Sequence, residues 1–231
     1  MIALRRAADR GVMRNAWLDA RFTFSFASYR DPAYPGYSDL LVLNDDVVAP
    51  GGGFAPHSHT DIEAISYVLE GEVEHRDSVG NVARMRPGDV QRMTAGSGIT
   101  HSEMNASMTH LEHHLQFWIA PAVRGLPPGY EQRSFPQADK RGRLRLVVSP
   151  DGRDGSLSVH QDMRLHATIV QDDPVEYAPP TGRRTYLHVA RGAASVNGRA
   201  LGEADGAFIE GEQLLFLMGA PEAEILIFDL R

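Results

Sequence analysis

Two short patterns in this chain have the residue types and spacing to hold a metal ion. The first is Pro56-His57-Ser58-His59; the second, about forty residues later, is Thr100-His101-Ser102-Glu103. In an extended strand, residues i and i+2 share a face. His57 and His59 therefore project together, and so do His101 and Glu103. If neighbouring strands carry both pairs inward, three imidazoles and a carboxylate converge on one point. That donor set suits iron, nickel, cobalt, copper, manganese or zinc and suits calcium or magnesium poorly. A metal preferring five or six ligands would keep open positions there for water, oxygen or a chelating substrate. Glu63, four residues beyond His59, has the parity of the two histidines. Spacing alone therefore leaves Glu63 and Glu103 in competition, one as ligand and the other as its neighbour or as a proton acceptor.

The elements that must position these groups read as strands. Helical periodicity is nearly missing. Arg21–Tyr29 and Leu111–Ile119 alternate or form short apolar runs, and Gly51-Gly52-Gly53, Gly80-Asn81, Pro87-Gly88-Asp89 and Asn197-Gly198 mark turns between such segments. Short strands separated by Gly- and Pro-rich turns indicate an all-β barrel or sandwich. Gly51, Gly71, Gly88, Gly96 and Asn105 frame the two metal-ligand patterns in the spacing of the two-part cupin signature, slightly stretched. A weak internal repeat places Val68–Val73 against Val189–Ala194, each followed by a hairpin turn and a tight turn. The expected architecture is a bicupin, two tandem double-stranded β-helix (jelly-roll) barrels. Residues 1–130 would form a metal-binding barrel and 131–231 a second barrel, with the boundary in or soon after Pro121–Pro136. Aligning Gly71 with Gly192, and Asp89 with Asp205, sets Ala178, Pro180, Leu217 and Gly219 opposite the four candidate ligands. None of the four has a side chain that binds metal, so the second barrel is expected to hold none.

Composition narrows the function classes. The chain has 231 residues, a formal net charge of −7 and no cysteine. Thiolate chemistry and disulfides are thereby excluded, which fits a cytoplasmic protein. Direct nucleic-acid binding is disfavoured, because phosphate contacts need a basic face. The densest basic stretch, Lys140-Arg141-Gly142-Arg143-Leu144-Arg145, reads as a solvated strand edge or linker face. The first residues lack the apolar core of a secretory signal, and no apolar run approaches the roughly 20 residues of a membrane span. A monomer is expected.

Two longer segments, Tyr67–Asn81 and Arg86–Glu103, closely resemble the pirin family of bicupins. Tyr130–Phe135 and Ser149–Met163 are similar to its bacterial quercetin 2,3-dioxygenase-like branch, and the likeness extends to Ile225–Leu230. The resemblance implies one metal in the N-terminal barrel, on His57, His59, His101 and Glu103, with iron the first expected occupant and Glu63 outside the coordination shell. It also implies a dioxygenase that opens flavonols such as quercetin with O2 and releases carbon monoxide. Glu103 would then be ligand and proton acceptor, with Glu63 the second choice as acceptor. The alternative it implies is a non-enzymatic regulator that reads metal or redox state through a protein partner. Ser58 departs from the family, which commonly has proline between the two histidines.

The remaining candidates read more plainly. His160, His166 and His188 are expected to be structural or exposed. His110, His113 and His114 form a tempting cluster, but His113 and His114 alternate onto opposite faces of a strand, so at most one could reach the metal cavity; Gln116 and Trp118 share the face of His114. Phe22, Phe24 and Phe26 have strand spacing and read as core.

Overall fold

A computed structural model describes all 231 residues as two compact units. One comprises Gly11–Ser134 and Leu157–Gln161; the other comprises Met1–Arg10, Phe135–Ser156 and Asp162–Arg231. The first strand, β1 (Ile2–Arg5), belongs to the second of these.

The N-terminal unit holds β2 (Gly11–Arg14), β3 (Leu18–Phe22), β4 (Leu40–Val48), β5 (Gly53–His59), β6 (Glu63–Glu70), β7 (Val73–Asp77), β8 (Val82–Met85), β9 (Asp89–Thr94), β10 (Ile99–Asn105), β11 (Glu112–Ile119) and β12 (Gly129–Ser134). A seven-stranded sheet runs β12-β9-β6-β11-β4-β3-β2, and a four-stranded sheet runs β5-β10-β7-β8. The strands at the centre of the large sheet, β6 and β11, are buried almost throughout. That is why their sequences read as apolar runs rather than alternations. In β10 burial alternates strictly from Ile99 to Asn105, with His101, Glu103 and Asn105 inward.

The C-terminal unit holds the one α-helix, α1 (Gln137–Lys140), and β13 (Arg145–Ser149). The two residues of β14 (Leu157–Ser158) fall in the N-terminal unit. Next come β15 (Arg164–Val170), β16 (Val175–Tyr177), β17 (Arg184–Val196), β18 (Arg199–Leu201), β19 (Gly206–Glu210) and β20 (Leu215–Leu230). The sheet follows β1-β19-β17-β20-β15-β13, with β16 on β20 and β18 on β17. Its core gathers Val189, Ile209, Leu217, Ile225 and Ile227, all essentially inaccessible.

The internal repeat is visible in the backbone. Gly71 and Gly192 both have positive φ, 74° and 76°, where a Cβ would lie 2.5 Å from the Leu111 carbonyl oxygen and 2.2 Å from that of Glu222. β16 pairs with the start of β20 as β5 pairs with β10, but Leu217 faces Val175 where His101 faces His57, so Val175 and not the expected Ala178 stands at the His57 position.

Two local expectations are corrected. The strand expected over Arg21–Tyr29 ends at Phe22, and Ala27 then takes a left-handed turn (φ 48°) closed by a bridge between Phe26 and Tyr29. The stretch from Lys140 is no solvated edge at its first residue. Lys140 ends α1 only 2% exposed, with its ammonium 2.5 Å from the carboxylate of Glu224. No helix is long and apolar enough to cross a membrane.

Candidate metal centre

β5 and β10 pair antiparallel, with His57 opposite His101. Ring centroids lie 4.8 Å apart for His57 and His59, 4.5 Å for His57 and His101, and 5.1 Å for His59 and His101. One ring nitrogen from each falls within 4.8 Å of the others. A register shift follows His101, and Glu103 then enters the cavity that His57 and His59 also line. Its carboxylate is held at both oxygens. Ser66 Oγ donates to Oε1 at 3.3 Å and Gln116 Nε2 to Oε2 at 2.7 Å, while Trp118 Nε1 donates to Gln116 Oε1 at 3.1 Å. Trp118 also stands edge-on to His59, 4.9 Å between centroids.

The electrostatics suit a cation. Burial, followed by the neighbouring His101 and His57, lowers the His59 pKa to about 4, and burial likewise lowers that of His101. Burial alone would raise the Glu103 carboxyl, but the His101 and His114 rings and the Gln116 amide outweigh it and hold the group below its usual value. His59 and His101 are thus neutral imidazoles and Glu103 a carboxylate at neutral pH, the ligating forms of each. His59 Nε2 and both ring nitrogens of His101 are buried without a hydrogen-bond partner. Orphaned nitrogens of this kind are costly in a folded interior unless something else takes their lone pairs. The donor set and the orphaned atoms therefore fit a divalent transition metal.

Replacing Gln116 by leucine removes the Oε2 donor and should weaken metal binding roughly 10- to 100-fold, as loss of a ligand-orienting group does; competition against a chromophoric chelator measures it. In metal-free protein, His59 and His166, the latter also lowered to about 4 by burial, should titrate near that value by NMR. The unfolded chain takes up protons below about pH 6.5 that these two rings refuse, so they draw stability down as pH falls from 6.5 towards 4. His166→Leu should make that fall shallower in urea titrations.

Glu63 lies elsewhere. The turn through Asp61 (φ 50°) resets the alternation between β5 and β6. Even-numbered Ser66 reaches Glu103, so odd-numbered Glu63 faces the other side of the sheet. There its carboxylate accepts from the His160 backbone N–H and faces His160 Nδ1, each at 3.1 Å. His113 turns outward to Asp45, 2.7 Å away, and His110 is exposed beside Thr109. His114 turns inward, with Nδ1 2.7 Å from Glu112 Oε1 and Nε2 3.9 Å from Asp46 Oδ2.

Sequence reasoning missed several residues. His75 is fully buried, sits opposite Glu103 across β7 and β10, and joins His101 and Glu103 in a second cluster of ligand atoms. Its Nε2 faces Asp77 Oδ2 at 3.1 Å and its ring packs on Tyr130. The alternation His75-Arg76-Asp77 was the available signal. Phe22 and Phe24 are buried core residues, as expected, but Phe22 also lines the cavity, together with the half-buried Phe26 and Trp118. Asn44 and Asp46 reach the same cavity from β4, and burial pushes the Asp46 carboxyl up to about 7 against the opposing pull of His114. The cavity measures about 240 Å3, and its walls are mostly apolar: Met13, Leu18, Phe22, Phe26, Phe54 and Trp118.

Two cupin barrels in one chain, with a histidine and carboxylate cluster in the first, define a bicupin. The Pirin profile matches residues 4–119, and a profile described as the quercetinase C-terminal cupin domain matches residues 146–230. The chain belongs to the pirin family. It is 45% identical over 231 residues to an Escherichia coli K12 protein named quercetin 2,3-dioxygenase, covering 100% of this chain and 99% of that one. A Caulobacter vibrioides pirin-like protein is 39% identical over 217 residues, 93% of each chain. Among solved structures, Escherichia coli YhhW superposes with a TM-score of 0.95 at 45% identity, covering 100% of this chain and 98% of that one. The bacterial pirin YhhW in complex with nickel(II) gives 0.94, covering 100% and 99%.

Proposed function

We propose that this protein is a metal-dependent dioxygenase that opens flavonols such as quercetin with O2 and releases carbon monoxide. The observation that carries the reading is the position of His57, His59 and Glu103 on the wall of a cavity otherwise lined by aromatic and aliphatic side chains. His57, His59, His101 and Glu103 are the proposed ligands. A divalent metal held there would supply Lewis acidity towards the adjacent oxygens of a flavonol and lower the pKa of its hydroxyl. Phe22, Phe26 and Trp118 would hold the rings and exclude water, leaving the electron-rich enolate carbon to meet O2 in a dry site. Glu103, fixed by Ser66 and Gln116 and kept ionised, is the proposed acceptor of the hydroxyl proton. Glu63, with its carboxylate committed to His160, is set aside for that role.

The ligand set leaves iron, nickel, cobalt, copper, manganese and zinc in contention, and the test uses the first five. Protein reloaded separately with these metals is incubated aerobically with quercetin, and carbon monoxide is measured. Metal-dependent release that disappears in His101→Ala supports the reading. No release with any metal, after loading has been verified by elemental analysis, overturns it.

A further inference from the structure

The cavity beside the histidines contains two polar atoms that nothing in the protein satisfies. Asn44 and Asp46 alternate onto the inner face of β4, Asn44 opposite Gln116 and Asp46 opposite His114 across β11. Each residue is 3% exposed and each lines the cavity. Asn44 Oδ1 and Asp46 Oδ1 have no hydrogen-bond partner.

The surrounding donors do not reach these oxygens. The Gln116 amide donates to Glu103 and accepts from Trp118. His114 Nδ1 is turned to Glu112, and Nε2 stays 3.9 Å from the other oxygen of Asp46. From β3, the inward residues Leu18, Ala20 and Phe22 offer only carbon. Asp45 points to the opposite face, towards His113. A buried acceptor without a donor is destabilising, and two of them on one strand, aimed into one mostly apolar cavity, call for donors that arrive with a ligand.

We propose that Asn44 and Asp46 determine specificity at this site, as a pair of hydrogen-bond acceptors that select polyhydroxylated aromatic ligands over the same ring system without hydroxyls. The inference rests on the flavonol reading above and deepens it. Apolar walls accept any flat ring system of suitable size and discriminate weakly between a ring and its hydroxylated form. A site whose buried acceptors need donors discriminates strongly, because the bare ligand leaves them unpaired. Asn44 and Asp46 lie roughly 7 Å apart along the strand, so they address different hydroxyls of one ligand.

The test measures dissociation constants of quercetin and of 3-hydroxyflavone, which keeps the chelating 3-hydroxyl but lacks quercetin's other hydroxyls, on metal-loaded protein. Wild type should prefer quercetin by roughly ten-fold or more for each acceptor satisfied. Asn44→Leu and Asp46→Leu should each reduce that preference by about the same factor, chiefly by weakening quercetin. A second measurement needs no ligand: the metal-free leucine variants should melt at or above the wild-type temperature, since each removes an unsatisfied buried acceptor. Asp46→Asn, which keeps the side-chain volume and an acceptor oxygen, guards against a packing artefact and should retain most of the preference that Asp46→Leu loses. Wild type that binds neither compound overturns the flavonol reading and this inference with it. Wild type that binds both, with leucine variants that keep its preference or melt well below it, overturns this inference alone.

Discussion

A divalent metal at a free concentration one hundred times its dissociation constant should raise the unfolding free energy of the wild-type protein by about 2.7 kcal/mol. His101→Ala should show no rise at the same concentration. His101 is the residue on which both ligand clusters turn. It belongs to the group with His57 and His59 and to the group with His75 and Glu103. It is 2% exposed, with both ring nitrogens lacking partners. Its removal leaves each group one ligand short, so binding to the native state should weaken until that concentration no longer fills the site, and the linked stabilisation should be lost. Comparing each protein with and without metal cancels whatever the substitution does to packing. Urea unfolding in chelator-treated and metal-supplemented buffer gives the two differences directly. Turnover should fall with binding to the uncatalysed background. A variant that still gains about 2.7 kcal/mol would place the ion on ligands other than these.

The sequence allowed reliable inference wherever a strand runs straight from one informative residue to the next. His101 and Glu103 could be paired by parity because β10 alternates without interruption from Ile99 to Asn105. Gln116 and Trp118 could be set on the face of His114 because β11 continues through all three. Parity failed at Glu63, where the left-handed residue Asp61 intervenes and the alternation starts afresh. It failed again beyond Phe22, where the strand ends and Phe26 swings back against Trp118, 5.2 Å between centroids. Asn44, Asp46 and His75 were hidden for a different reason. A polar residue in a strand points to solvent or to a cavity according to which strands flank it, and that is a property of the sheet order. Lys140 is the extreme case: the carboxylate that accounts for its burial comes from Glu224, 84 residues away.

Gly53→Ala should lower stability by about 3 kcal/mol and weaken metal binding more than ten-fold, although residue 53 contributes no ligand. Gly53 has φ 148° and sits where β5 presses against β10. A Cβ there would lie 2.5 Å from the Glu103 carbonyl oxygen and 2.6 Å from the Met104 Cα. Both obstacles are backbone, which cannot swing aside as a flexible side chain would. Backbone strain and overpacking each cost roughly 1–3 kcal/mol, and here they act together. The effect on the metal follows from register. Phe54 pairs with Glu103 and His57 with His101, with the register shift between them. Pushing the strands apart at residue 53 therefore moves one ligand strand against the other. Gly80→Ala separates the two costs. That glycine also has positive φ (99°), but a Cβ would meet nothing within 4 Å, so only strain of about 1 kcal/mol is expected, with metal affinity unchanged. Urea unfolding and metal titration of both variants decide the matter. Equal losses in the two would mean that strain at the turn, and not the close approach of β5 to Glu103, is what the glycine relieves.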